Sequence, residues 1–315
     1  MGVYWASHEQ RDKYLEYRDV VFMDCTAKKS NLLWPVCLAV GVNEENKSVI
    51  LGQAILMSED ERSFEFFLDR LSTYNGVKMP ASVVFTDECS AEINAVKKVF
   101  PKAHNFRCDW HFLKDIVKKI SSTGLGDDAK ERVLDLFQAA WYSKTEARFK
   151  TRMEIFMDHL KTLPATTASS LTKYFQGQLG SQTRWAHCYR SSVLTLLANS
   201  TQRVEGVNAQ IKRTCSGSTT FAHLTVALEN IRADAEDATV GVNYDNINSV
   251  LLRSILIDLN NKKGVGMIVE VLKSHLSHFA VNKVLFELRH AHMFTVDVDS
   301  TLRKFKVVPY CVNVV

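Results

Sequence analysis

The sequence lacks the features of a secreted or membrane-spanning protein. Its seven cysteines are odd in number and include no Cys-x-x-Cys pair, which argues against a disulfide framework and favours a reducing compartment. The first residues do not have the basic-then-apolar order of a signal peptide. No apolar run approaches the roughly 20 residues that a membrane-spanning helix needs. We therefore expect a soluble intracellular protein without a membrane partner.

The sequence also has little surplus charge and no internal repeat or low-complexity tract. Its 39 basic and 35 acidic residues leave a net charge of only +4. Any attraction to nucleic acid must therefore come from local clusters of cations. Hydrophobic residues make up 46% of the 315 positions, enough for one large or two modest domains. Composition alone predicts no partner.

Two short apolar segments each end in an aspartate. The segment from Val20 to Met23 precedes Asp24, and the segment from Ser82 to Thr86 precedes Asp87, after which apolar residues recur at helical spacing. In α/β sheets the carboxyl ends of the strands form a crevice where ligands bind. We therefore expect both aspartates at that edge of a sheet.

The residues between these segments predict how the two strands become neighbours. Trp34 to Val42 and Val49 to Met57 are β-branched stretches on either side of a polar turn, so a three-strand meander is expected. Ser58 and Glu61 have the spacing of a capping box at the start of a crossover helix. Because such crossovers are short and right-handed, the Asp87 strand should lie parallel to the Asp24 strand.

The rest of the chain has mainly helical periodicity. Strand patterns disappear from about Leu113 to Ala198, and a helix pattern resumes from Arg203 to Arg213. The ending RKFKVVPYCVNVV has the pattern of a strand, and we expect the chain to stop before a last module. The expected segments are a lead-in (1–19), the first part of a core (20–112), a helical insertion (113–198), core return helices (199–240) and a mostly helical C-terminal region (241–315).

Several short motifs occur in a distinctive order. They are Asp24-Cys25-Thr26 with Asn31, Glu59 with Ser63-Phe64, Thr86-Asp87 followed by Ala91 to Pro101, Cys108-Asp109-Trp110-His111, Trp185-Ala186, and the run from Gln202 to Asn208 with Lys212. As an ordered series over Val20 to Ala235, they resemble the Mutator-like element (MULE) transposase domain. That group includes the plant far-red-impaired-response proteins, which derive from such transposases.

The resemblance implies a fold, a reaction and a location. The implied fold is a ribonuclease-H-like α/β domain, with a mixed sheet and an all-helical insertion. The implied enzyme is a nuclear cut-and-paste DNA transposase whose catalytic and metal-binding acids are Asp24, Asp87 and Glu205. Its implied partners are two Mg²⁺ or Mn²⁺ ions, the element's terminal inverted repeats and target DNA, while a homodimer stays open. Glu205 depends on the resemblance far more than the two aspartates do.

Carboxylates suit this reaction chemically. In-line attack on a phosphodiester can be promoted by two divalent ions, and hard oxygen ligands suit magnesium. Clustered acids should raise one another's pKa values until metal binds. Glu205 has rivals as the third acid, since Glu88, Glu92 and Asp109 lie close to the motifs.

Other residues have two readings each. Cys108 and His111 are zinc-ligand types, but a zinc site normally needs four ligands and no second pair is evident, so a structural or orienting role is favoured. Basic residues on two helices can meet DNA phosphates or form a solvated face. They are Lys114, Lys118, Lys119, Arg203, Lys212 and Arg213.

Two departures from the family leave the function open. No zinc-binding DNA-recognition module precedes the core, and the Cys/His cluster that often follows it is absent. The DNA sequence recognised cannot be read from this chain. The alternatives to a transposase are a domesticated DNA-binding or transcription regulator that does not cut, and a ribonuclease-H-like nuclease.

Overall fold

The computed structural model describes residues 2–26, 33–43, 46–193, 195, 200–246, 294–299 and 304–309. The chain divides into two compact units. One contains Met1–Val42 with Ser48–Asp234, and the other contains Asn43–Lys47 with Ala235–Val315. Asn31, one of the motif residues, lies outside the described part of the chain.

A six-stranded mixed sheet forms the centre of the first unit. Its strands lie in the order β1, β4, β3, β2, β7, β8. The strands of this unit are β1 (Gly2–Trp5), β2 (Val20–Thr26), β3 (Val36–Val42), β4 (Ser48–Leu56), β5 (Thr73–Tyr74), β6 (Val77–Lys78), β7 (Val83–Thr86) and β8 (His104–Arg107). The neighbouring pairs β1–β4, β4–β3 and β3–β2 are antiparallel, whereas the pairs β2–β7 and β7–β8 are parallel.

The pairing confirms the expected meander and parallel neighbour. Strands β2, β3 and β4 form the meander, and β7 lies parallel to β2 with Val20 opposite Val83 and Phe22 opposite Phe85. The mixed α/β class is therefore confirmed. The crossover between β4 and β7 contains the predicted helix, so the chain's local patterns determine this part of the topology.

Helices account for most of the remaining described residues. They are α1 (His8–Tyr17), α2 (Glu61–Ser72), α3 (Ser90–Val99), α4 (Asp109–Ser121), α5 (Asp127–Trp141), α6 (Glu146–Lys161), α7 (Ala165–Leu179), α8 (Gln182–Trp185), α9 (Gln202–Thr214) and α10 (Phe221–Asn246), with a 3-10 turn at His187–Tyr189. In the part of the chain that the structure describes, no helix is both long and apolar enough to span a bilayer.

One prediction about local structure is wrong, and one segment has structure that its sequence pattern did not predict. The lead-in segment contains β1, which pairs with β4, and α1, which buries Gln10 and Tyr14 on one side. Charged residues occupy the other side of α1, so the segment has no apolar stripe that would predict a buried helix face. Helix α2 is capped by Asp60, whose carboxylate accepts a hydrogen bond from the Ser63 amide at 2.8 Å, rather than by Ser58. The Asp60 carboxylate, two residues after Ser58, therefore replaces the predicted cap.

The sheet is covered on both faces, and strand alternation decides which residues meet which helices. Val20 and Phe22 of β2 face a core shared with α9 and α10. Val21 and Met23 face the opposite core, which α2 and α3 complete. Asp24 continues the Val20 and Phe22 face, so its side chain is directed to the side of α9.

A third core lies within the helices that follow β8. Phe112, Phe137, Trp141 and Trp185 are fully buried there, and the Trp141 indole nitrogen donates to the Trp185 carbonyl oxygen at 2.9 Å. Between positions 113 and 193 every element is helical. These helices have a hydrophobic core of their own rather than sharing that of the sheet.

The C-terminal region is described only in part. Strands β9 (Phe294–Asp299) and β10 (Lys304–Pro309) form an antiparallel pair within the second unit. The strand predicted near the end of the chain is therefore confirmed as β10. The mostly helical region predicted for 241–315 stays a prediction, because the residues described there are only the end of α10 at 241–246 and the two strands, and the remainder lies outside the described residues.

Candidate active site

Asp24 lies near the carboxyl end of β2 in a buried position. Only 9% of the residue is exposed. Its Oδ1 accepts a hydrogen bond from the Cys25 amide at 2.8 Å, and its Oδ2 accepts one from the Asn208 side-chain nitrogen at 2.9 Å. Asn208 comes from α9, which is 184 positions away in sequence. Both oxygens of the carboxylate are therefore held in place.

Asp87 and Glu205 are joined through one histidine. Asp87 directly follows β7, and Glu205 lies in the first turn of α9. His111 of α4 contacts the Asp87 carboxylate through Nδ1 and the Glu205 carboxylate through Nε2, the latter at 2.9 Å. The structure thus brings the three predicted acids to one edge of the sheet.

Helix α9 explains why Glu205 reaches this edge. Val204, Val207 and Ile211 are buried against the sheet and set the rotation of the helix. Glu205 and Asn208 are three positions apart, so they lie on one side of the helix beside that apolar stripe. The helix therefore presents a carboxylate and an amide together to the ends of β2 and β7.

Burial and the charges of neighbouring acids both disfavour the ionised form of a carboxylate in this site. Burial, followed by the negative charges of the nearby Asp87 and Glu205, raises the pKa of Asp24 to about 7. Burial lowers the pKa of His111, but its hydrogen bonds to Asp87 and Cys108 outweigh that effect and raise the pKa to about 11. At neutral pH His111 is therefore a cation between two acids. The site attracts positive charge.

Cys108 fixes the starts of two helices. It is fully buried and is the N-cap of α4, where its sulfur accepts a hydrogen bond from the His111 amide at 3.5 Å. The same sulfur accepts hydrogen bonds from the amide and the hydroxyl of Thr201, at 3.2 and 3.1 Å. Thr201 is the N-cap of α9. Cys108 therefore orients both His111 and Glu205.

Two of the rival acids are engaged by arginines. Glu88 forms ion pairs with Arg107 at 3.3 Å and Arg184 at 3.0 Å. Asp109 forms an ion pair with Arg190 at 2.6 Å and a hydrogen bond with the His187 ring at 2.8 Å. These carboxylates join the helical insertion to the strand ends, so neither is placed as a third acid of the site.

The third rival, Glu92, is a buried residue of α3 close enough to Asp87 and Asp24 to be affected by their charges. It is 4% exposed in the first turn of α3. Burial, followed by the charges of Asp87 and Asp24, raises its pKa to about 8. Its Oε2 has no hydrogen-bond partner among the residues that the structure describes. The spacing of Glu92, Val96 and Val99 places this acid on the buried face of α3, a signal present in the sequence.

Arg184 is a site residue that no sequence pattern predicted. Its guanidinium donates to the Asp87 carbonyl at 3.4 Å, to the Thr86 hydroxyl at 3.3 Å and to the Asn105 side-chain oxygen at 2.7 Å. It therefore holds the end of β7 at the position of Asp87. Its partners are 79 to 98 positions away in the sequence, and no local pattern predicts such contacts.

The predicted DNA-contacting cations have different environments. Lys114 and Lys118 are exposed on the side of α4 that carries His111, and the Lys114 ammonium lies 4.6 Å from the centre of the Trp110 ring. Lys119 instead donates to Ser170 at 2.9 Å. On α9, Lys212 and Arg213 are exposed and Arg203 is half-buried. Four exposed cations thus lie on the two helices that carry His111 and Glu205.

The donor set fits a hard divalent cation. Three carboxylates converge, and the Asn208 Oδ1 is buried without a hydrogen-bond partner among the described atoms. Oxygen donors of this kind are the ligands that Mg²⁺ and Mn²⁺ prefer. A bound cation would also relieve the repulsion that raises the pKa of Asp24.

Comparison with known proteins agrees with the motif series. Residues 20–115 match the family model of the MULE transposase domain. "Protein FAR-RED IMPAIRED RESPONSE 1" of Arabidopsis thaliana is 30% identical over 120 residues, which cover 38% of this chain and 14% of that protein. "Protein FAR1-RELATED SEQUENCE 5" of the same plant is 21% identical over 258 residues, covering 79% and 30%. The resemblance is confirmed, and the chain spans less than a third of either relative's length.

Proposed function

We infer, from the match of the first core segment to the MULE transposase domain, that this chain is the catalytic core of a DNA transposase. The reaction is metal-dependent cleavage and strand transfer at phosphodiester bonds, performed at the element's terminal repeats and in target DNA. The observation that carries this proposal is the convergence of Asp24, Asp87 and Glu205 from three separate chain segments. A nuclear location follows from the proposed substrate.

The strand order supports a ribonuclease-H-like assignment. An antiparallel meander continues into two parallel strands, and the first two acids lie at the carboxyl ends of the adjacent strands β2 and β7. The carboxyl edge of such strands is where a ligand crevice is expected. The third acid arrives on α9, after an insertion of helices with its own core.

The chain's own residues supply the placement that this chemistry needs. Asp24, Asp87 and Glu205 would hold the ions, which supply activation of the attacking oxygen and stabilisation of the leaving oxygen. Asn208 fixes the Asp24 carboxylate, and His111 fixes the other two. Preset side chains of this kind cost little reorganisation when the substrate binds.

Exposed cations would position the DNA. Lys114 and Lys118 on α4, with Lys212 and Arg213 on α9, extend from the two helices that carry site residues. Contacts of such cations with phosphates fix the register of DNA without reading its sequence. We therefore expect binding that weakens steeply with salt and depends little on base sequence.

The decisive experiment is nicking of supercoiled plasmid by the purified chain with Mg²⁺ or Mn²⁺. Asp24→Asn, Asp87→Asn and Glu205→Gln should each slow nicking at least about 100-fold, the scale on which losing one transition-state contact slows an enzyme. Asp128→Asn, at an exposed acid in the first turn of α5, is the matched control and should nick normally. Normal nicking by Glu205→Gln would eliminate the third-acid assignment and direct attention to Glu92.

A DNA-binding regulator without cleavage activity is the second candidate. The observation that favours it is the His111 contact with both Asp87 and Glu205, which satisfies these acids without a metal ion. In that case the chain binds DNA in a salt-dependent manner, measured by fluorescence anisotropy, but does not nick it with either metal. Cleavage of an RNA–DNA hybrid in preference to plasmid would instead favour a nuclease.

A further inference from the structure

A second set of metal ligands overlaps the three acids. Asp87, Cys108 and His111 each offer one ligand atom, and these atoms all lie within 4.8 Å of one another. Cys108 is the N-cap of α4 and His111 lies in the first turn of that helix, while Asp87 directly follows β7. The sequence alone shows no second pair of ligands for the Cys-x-x-His motif, which argues against a zinc site. The fold brings a third ligand from elsewhere in the chain.

The orientation of His111 suits a metal ligand. Its Nε2 pairs with the Glu205 carboxylate at 2.9 Å, which leaves Nδ1 directed to Asp87 and near the Cys108 side. A carboxylate on the far nitrogen is the usual outer partner of a metal-binding histidine, because it fixes the ring and raises its basicity. Glu205 therefore has the place of an outer partner for an ion at Nδ1.

The environment of Cys108 suits a bound thiolate. Three hydrogen-bond donors are directed at its sulfur: the amide and hydroxyl of Thr201 and the amide of His111. Such donors stabilise negative charge on sulfur. Cys108 is fully buried, and Cys108 and Asp87 together would supply two negative charges, which balance the charge of a divalent ion.

We propose that Asp87 Oδ, Cys108 Sγ and His111 Nδ1 bind one zinc-class divalent ion, with a fourth position open to water. Thiolate and imidazole select zinc or cobalt over magnesium. Binding releases the thiol proton and the proton on Nδ1 to solvent, and no electrons are transferred. One consequence rests on the proposed function: because Asp87 is shared, zinc competes with the ions that support cleavage.

Cobalt(II) titration of the full chain tests the site directly. Thiolate-to-cobalt charge-transfer absorption in the near ultraviolet should appear with one ion per chain, be removed by Zn²⁺ and persist in excess Mg²⁺. Cys108→Ser should abolish this absorption, and His111→Gln should weaken cobalt binding by more than the ~10–100-fold that losing an outer partner costs. Cys188→Ser, at a half-buried cysteine in the 3-10 turn, is the matched control and should bind cobalt unchanged.

The outcomes separate this inference from the proposed function. Absence of the absorption, or its retention in Cys108→Ser, overturns the zinc-class site. If circular dichroism finds Cys108→Ser unfolded, X-ray absorption at the zinc edge of the unaltered protein decides, since it must detect one sulfur ligand. Cobalt–sulfur absorption without any plasmid nicking upholds the site and counts against the transposase. Plasmid nicking without cobalt–sulfur absorption supports the transposase and overturns the zinc-class site.

Discussion

Replacing Arg190 by methionine should destabilise the fold by about 3 kcal/mol. Arg190 is 7% exposed and donates to Asp109 Oδ1 at 2.6 Å, to the Arg107 carbonyl at 2.7 Å and to the Arg184 carbonyl at 2.9 Å. Methionine fills much of the same space but leaves the 6% exposed Asp109 carboxylate without its arginine. Breaking one half of a buried pair typically costs roughly 3–5 kcal/mol. Because His187 still contacts Asp109 at 2.8 Å in the variant, we expect a loss at the lower end of that range.

Urea unfolding followed by tryptophan fluorescence measures this loss. Arg148→Met, at an exposed arginine of α6, is the matched control and should change the free energy of unfolding by no more than about 0.5 kcal/mol. Adding Asp109→Leu to Arg190→Met should recover part of the loss, because no unpaired charge then remains buried. A loss below about 1 kcal/mol for Arg190→Met, or no recovery in the double variant, would refute the reasoning.

Three other changes test the site. Asn208→Ala removes the hydrogen bond to the buried Asp24 carboxylate and should cost about 1–3 kcal/mol in urea unfolding; unchanged stability would mean that the contact is not made. The pKa of Glu92 is raised to about 8 on folding, so the metal-free protein should lose stability as pH rises from about 4.5 to 8, and Glu92→Gln should flatten that slope in urea midpoints; equal slopes contradict this. Arg184→Lys keeps the charge but loses the forked donors that hold Asp87, so kcat for nicking should fall with DNA affinity unchanged; an equal fall in affinity would assign Arg184 to DNA binding instead.

Local patterns determine the strand pairing and two of the three acids. Two apolar segments are each followed by an aspartate, and a crossover helix lies between them. This order allows few topologies, and the observed parallel pairing, with Val20 opposite Val83, is one of those allowed. Asp24 and Asp87 therefore follow from periodicity and handedness. Glu205 does not follow from local patterns, because α9 meets β2 through contacts such as Asn208 to Asp24, which are 184 positions apart. Only the family resemblance predicts Glu205.

The arginine contacts could not be predicted for a related reason. Arg184 and Arg190 make specific contacts across 79 to 98 positions, with partners that have no periodic pattern of their own. An arginine in a short helix is usually solvated, so burial there depends on the arrangement of the complete fold. Helix α1 was hidden differently, since its buried Gln10 and Tyr14 are polar or amphipathic residues within a charged segment.

The long separation between the sheet and α9 has a consequence during protein synthesis. All six strands of the sheet have left the ribosome once Arg107 is out, but the face formed by Val20, Phe22 and their neighbours awaits α9, which starts at Gln202. At about 5–20 residues per second, translating the 95 positions between them takes roughly 5–20 s. For that time a nascent chain exposes to solvent an apolar sheet face that α9 covers in the folded protein.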